Sequence, residues 1–191
     1  MDTDSMGWLI FGLIAVVVVV VIVFGIAQFN KLRRYDVMCT GSLGDIDTLL
    51  TKRADLVPNL VETVKGAKDF EASTIVAVTT ARTRTASAGD INAKSSADAA
   101  MTSALGRLFA VAEAYPQLTA TANFRDLQGQ LTDVESQLQF ARQYYNDSVV
   151  KLNTALRTIP SMWFAGVAGV SERPMYQEPD EGRRAAPTVQ F

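Results

Sequence analysis

Histidine is absent from the 191-residue chain, and cysteine occurs once, at Cys39. The first absence removes the commonest metal ligand and the side chain whose ordinary pKa suits proton transfer near neutrality. A zinc site would have to be built from one thiolate and carboxylates, an unusual ligand set. No nucleophile–histidine pair can be drawn, which leaves only a Ser–Lys arrangement open. The single cysteine excludes an intrachain disulfide. Positive charge is not in excess: 18 Lys and Arg stand against 20 Asp and Glu, a net charge of −2. The chain therefore lacks the basic footprint of a nucleic-acid binder. No strand pattern leads into a glycine-rich phosphate loop.

What is present begins with one apolar run. Gly7 to Phe29 reads GWLIFGLIAVVVVVVIVFGIAQF, with no charge and a single amide, Gln28. About twenty such residues cross a hydrocarbon core at a rise of ~1.5 Å each. Trp8 at one end suits the headgroup interface. A cleavable signal peptide would want a basic start, whereas this chain opens MDTDSM, with Asp2 and Asp4. Gly25-Ile26-Ala27 could pass formally as a cleavage site, but the apolar run is too long for a signal peptide, so an uncleaved anchor is expected. The run holds no cysteine, so it carries no lipobox. Lys31, Arg33 and Arg34 follow the span and no basic residue precedes it. The positive-inside rule then places residues 1–6 outside the cell membrane and the domain that follows the span in the cytoplasm, where a lone thiol suits the reducing compartment.

The rest of the chain reads as helices. A first stretch, 30–53, is weakened by Gly41 and Gly44 and begins its apolar stripe at Ile46, Leu49 and Leu50. A second is expected to start near Pro58, a residue that suits a first turn. Val57, Leu60, Val61 and Val64 share one of its faces, and Ile75, Val78 and Ala81 continue a similar face. Residues 86–96, rich in Ala, Ser, Gly, Asp and Asn, read as a loop. A third helix is expected over 97–115, closed by Pro116. The fourth is the most regular. Phe124, Leu131, Leu138, Tyr145, Leu152 and Ile159 recur every seventh residue, with Leu127, Val134, Ala141, Ser148 and Ala155 three places on. Pro160 ends it. The expected fold is all-α: a single-pass transmembrane helix at 7–29, then an antiparallel up-and-down four-helix bundle over 30–170. Residues 171–191 mix Pro, Gly and charge without periodicity and read as a disordered tail. In such a bundle the apolar stretch 161–170 either returns to the bilayer, with Trp163 at headgroup level, or covers an open end of the bundle.

Candidate chemistry is sparse. Glu62, Glu113, Asp133 and Glu135 could suggest a carboxylate metal bundle, but such sites use Glu-x-x-His pairs, so salt bridges are expected instead. Asp55, Asn59, Asn123, Arg142 and Asn146 lie near expected helix ends or beside core positions. Capping and bundle register are set against a partner-binding polar patch for this group. Arg82, Arg84 and Lys94 read as a solvated face. No catalytic, cofactor-binding or metal site is expected.

Three separated blocks carry a resemblance. They are Lys52-Arg53-Ala54-Asp55-Leu56-Val57-Pro58-Asn59-Leu60-Val61-Glu62-Thr63-Val64-Lys65-Gly66; then Ala104-Leu105-Gly106-Arg107-Leu108 through Glu113-Ala114-Tyr115-Pro116-Gln117-Leu118; then Asn123-Phe124, Leu127-Gln128, Arg142, Tyr145-Asn146, Asn153 and Pro160. In this order they resemble the LemA family over most of residues 30–170. Gln117, Thr119, Thr121 and Val170 depart from its usual residues. The resemblance implies an N-terminal membrane helix, a cytoplasmic four-helix bundle and no established enzymatic activity, and some relatives belong to magnetosome membranes. The function expected is that of a non-enzymatic, membrane-anchored interaction or scaffold protein. The alternative is an oligomeric structural component that organises or shapes a membrane patch. The expected partners are the lipid bilayer and other proteins, with self-association left open and nucleic acid excluded.

Overall fold

The computed structural model describes residues 3–67 and 70–177, and of residues 3–7 and 9 the backbone alone. It is all-helical, with no strand among the described residues. The elements are α1 (Thr3–Lys65), α2 (Ala72–Ser87), α3 (Ile91–Ala112), α4 (Pro116–Thr119), α5 (Ala122–Arg157), a 3-10 turn (Ser161–Phe164) and α6 (Ala165–Ala168). Two compact units can be distinguished. One is drawn from Met1–Thr40 with Asp147–Arg173, the other from Gly41–Asn146 with Pro174–Phe191. Residues 1 and 2 of the expected outer segment, and 178–191 of the expected tail, lie outside the described residues.

In the first unit α1 carries the apolar run, and its side chains from Ile10 to Phe24 are all exposed. None of the most apolar stretch is buried against protein, which makes this helix a candidate membrane span. Further along, Leu32 and Cys39 turn inward, as do Val149, Leu152 and Ala155 of α5 and Ala168 and Val170 beyond it. Burial pushes the Cys39 thiol up, and a buried neutral thiol is a poor nucleophile. α6 stops at Gly169, whose φ of 62° lies in the left-handed region that favours glycine. The turn is closed by Val170 N–H donating to Ala165 C=O at 3.2 Å.

The second unit holds the larger core. Val57, Leu60 and Val64 of α1 join Val78 and Ala81 of α2, Met101, Leu105 and Leu108 of α3, and Phe124, Leu127 and Leu131 of α5. The expected loop over 86–96 shrinks to 88–90. The reason is local: Asp90 caps α3, its carboxylate accepting from Ala93 N–H at 2.9 Å, and the alanine-rich sequence after it favours helix. The third helix accordingly starts at Ile91 rather than 97 and ends at Ala112 rather than 115. α4 opens on Pro116, at a position where the missing N–H costs nothing. Thr121 caps α5, accepting from Phe124 N–H at 3.3 Å. The heptad seam is buried at Phe124, Leu131, Leu138, Tyr145 and Leu152, while Ile159 falls beyond the helix and is exposed.

The break expected between residues 53 and 58 is absent, because α1 passes through Pro58. An interior proline removes the hydrogen bond to the carbonyl four residues back, here that of Ala54. Arg82 of α2 takes the vacant place: its Nε–H donates to the Ala54 carbonyl at 3.1 Å. A cation read from sequence as part of a solvated face thus repairs a helix in another element. Arg82→Ala should cost about 1 kcal/mol. The same change should cost close to nothing once Pro58→Ala restores the N–H. A double-mutant cycle by urea unfolding checks this, and strictly additive losses would disprove the coupling.

Candidate functional site

Three buried stripes in the second unit each admit one charged residue. On α1, Ile46, Leu50, Arg53, Val57, Leu60 and Val64 alternate at spacings of four and three. On α3 the stripe is Asp98, Met101, Leu105, Leu108 and Ala112, and on α5 it is Val134, Leu138, Arg142 and Tyr145. Arg53, Asp98 and Arg142 therefore occupy core positions, and Asp98 is 0% exposed. Burying such charges is costly unless they are paired, and here they meet. Arg53 Nη1 lies 3.0 Å from Asp98 Oδ1 and 2.8 Å from Glu135 Oε2. Arg142 Nη2 lies 2.7 Å from Asp98 Oδ2, and its Nη1 lies 3.1 Å from Glu135 Oε1. Thr102 accepts a further bond from Arg53 at 3.1 Å. Two guanidiniums face two carboxylates, so the cluster balances charge for charge. Burial pushes the Asp98 carboxyl up, against the pull of Arg142 and Arg53. It also lowers Arg53, against the pull of Glu135 and Asp98. Burial acts on Arg142 in the same sense, but Asp98 and Glu135 together hold it above its ordinary value.

The fifth member comes from the chain's end. The Tyr176 hydroxyl donates to Asp98 Oδ2 at 3.0 Å, and burial, reinforced by Asp98, pushes the phenol well above its ordinary value. Tyr176 arrives on a strap that is gripped by its backbone. Asn146 Nδ2 donates to the Tyr176 carbonyl at 3.0 Å, and its Oδ1 accepts from the Tyr176 N–H at 2.8 Å. Tyr145 donates to the Pro174 carbonyl at 3.0 Å, and Ser95 to that of Gln177 at 2.8 Å. An amide that bonds both backbone groups of one residue does what a neighbouring strand does, and it is indifferent to that residue's side chain. The first unit repeats the device. Asn153 bonds the carbonyl and N–H of Arg173 at 2.9 and 3.0 Å, while the Arg173 guanidinium reaches Asp36 and Thr40. Arg157 forks onto Glu172, both contacts at 2.7 Å. The expectation of a disordered tail from residue 171 therefore fails for 171–177. Hydrogen bonds to side chains on α5 hold a segment that has no periodicity of its own.

Other expected residues are dispersed. Glu62, Glu113, Asp133, Asp55 and Asn59 are exposed, so of the four carboxylates only Glu135 reaches the cluster. Asp55 and Asn59 cap no helix start, because α1 does not begin there. Arg84 is exposed in the last turn of α2, and Lys94 pairs with Asp47 at 2.6 Å. Asn123 is exposed and helps line an open cleft of ≈ 770 Å³ with Thr63, Ala67, Tyr115, Gln117 and Leu118. Arg142 and Asn146 lie inside α5 and cap no helix start; one joins the charged cluster and the other grips the Tyr176 backbone. Asp98 and Tyr176 were not among the candidates. A lone carboxylate on the apolar stripe of α3 was the available signal for Asp98. For Tyr176 no periodicity could have served.

Over 86 residues the chain is 28% identical to Magnetosome protein MamQ of Magnetospirillum gryphiswaldense, a match spanning 45% of this chain and 32% of that relative. The chain thus covers about a third of the relative's length. The pattern of the LemA family matches residues 42–191, which takes in Arg53, Asp98, Glu135, Arg142 and the strap through Tyr176. With a match over most of its length, the chain belongs to the LemA family.

Proposed function

We propose that this chain is a non-enzymatic, membrane-tethered interaction or scaffold protein. Its N-terminus lies outside the cell membrane, and its helical domain is an antiparallel up-and-down bundle facing the cytoplasm. The observation that carries the reading is the division of labour along α1. One part exposes only apolar side chains, and a later part contributes Val57, Leu60 and Val64 to a closed core. Exposed Lys31, Arg33 and Arg34 just past the apolar run support the orientation. The three-residue link between α2 and α3 supports antiparallel neighbours. The buried charged groups are engaged with one another, an arrangement suited to holding a shape rather than to chemistry on a substrate. The cleft beside Tyr115 and Asn123 offers a concave surface to a protein partner.

The similarity to a magnetosome protein favours a second reading, an oligomeric component that organises a membrane patch. Trypsin added to intact spheroplasts should leave the domain uncut, with cleavage within it only once the membrane is permeabilised. Cleavage there in intact spheroplasts would reverse the orientation. Light scattering on the detergent-solubilised protein separates the two readings, since a very large homogeneous particle supports patch organisation.

A further inference from the structure

The first unit presents an apolar surface that the core does not use. Between Arg157 and Glu172 there is no charged residue. Within that stretch Ile159, Trp163 and Val167 are 67%, 67% and 77% exposed, and Met162 is exposed as well. The stretch is tied to α1 at the end of the apolar run. Ser161 donates its hydroxyl to Gln28 Oε1 at 2.9 Å. The Phe164 ring sits 3.3 Å from where a side chain on Gly25 would begin, a close approach that any larger residue would meet only if the ring gave way by a few tenths of an ångström. We propose that Ile159, Met162, Trp163 and Val167 form a second membrane contact, seated in the headgroup–acyl boundary beside the point where α1 leaves the bilayer. This rests on the reading of residues 7–29 as a membrane anchor.

The depth follows from helix geometry. From Trp8 to Gln28 the helix advances about 30 Å, the thickness of a hydrocarbon core. With Trp8 at one interface, the level of Gly25 and Gln28 is the other. Trp163 lies between Ser161 and Phe164, whose contacts are at that level, and a tryptophan belongs there because its ring is apolar while its N–H can still be hydrated. The bond from Ser161 gives the carbonyl oxygen of the one amide in the apolar run a partner, which lowers the penalty of a polar group near lipid. Exposed Lys31, Arg33 and Arg34 come within the next two turns, where their stems can carry charge to lipid phosphates.

The test uses the full chain with Trp8→Phe, which leaves Trp163 as the only tryptophan. The protein is reconstituted in phosphatidylcholine vesicles with a minor share of phosphatidylglycerol, their acyl chains brominated either near the carbonyl or near the methyl end. The vesicles are recovered by flotation. The expected result is loss of most Trp163 emission with bromine near the carbonyl, and a smaller loss with bromine near the methyl end. Emission from floated vesicles that stays unquenched would overturn the proposal while leaving the anchor intact. Blue-shifted unquenched emission would assign the surface to a protein neighbour instead. Failure of the protein to float would overturn the anchor, and the second contact with it.

Discussion

Asp98→Ala is expected to destabilise the domain by about 3–5 kcal/mol, the range found when one partner is removed from a buried ion pair. The carboxylate is 0% exposed. It contacts Arg53 at 3.0 Å, Arg142 at 2.7 Å and the Tyr176 hydroxyl at 3.0 Å. Its removal leaves two guanidiniums sharing Glu135, and a phenol with no acceptor. The loss reports an abandoned charge more than the worth of the intact cluster, and a second variant exposes the difference. Replacing Arg53, Asp98 and Arg142 together by apolar residues of similar volume should recover much of the stability, because buried pairs roughly break even against hydrophobic packing. Glu135, whose side chain is 35% exposed, can then turn to water. Urea unfolding of the full chain in detergent measures both variants. A triple variant as damaged as the sum of its single replacements would show that the groups do not act as a cluster. Limited proteolysis near residues 171–177 should also quicken in Asp98→Ala, since the strap loses the acceptor of its tyrosine.

Leu138→Ala is expected to cost about 2–5 kcal/mol, the lost transfer energy plus the cavity left behind. Leu138 is 0% exposed on the inward seam of α5, whereas Phe140, two residues on, is 71% exposed. Phe140→Ala removes a larger side chain, yet it should change stability by no more than about 0.5 kcal/mol. The pair isolates burial from side-chain size within a single helical turn. Thermal unfolding followed by circular dichroism checks it. A loss at Phe140 equal to that at Leu138 would mean that the seam has been assigned to the wrong face.

What the sequence could determine by itself was the apolar pattern within single helices. The seam of α5 and the stripe at Val57, Leu60 and Val64 record a face in their spacing, the apolar run over 7–29 records itself in unbroken composition, and both survive in one dimension. The three family blocks were legible for the same reason, as order along the chain. The tertiary structure alone decided the features that depend on convergence. Arg53 and Asp98 are 45 residues apart, and Asp98 and Tyr176 are 78 apart, so no local pattern announces their meeting. Pro58 read as a helix start because its ring forbids a hydrogen bond within its own helix, and only the placement of Arg82 supplies the replacement. The strap has no periodicity because its backbone bonds go to Asn146, Asn153, Tyr145 and Ser95 rather than to itself. Periodicity reports which face is buried, whereas hydrogen bonds and ion pairs between distant residues are settled only where the chain brings their atoms within about 3 Å.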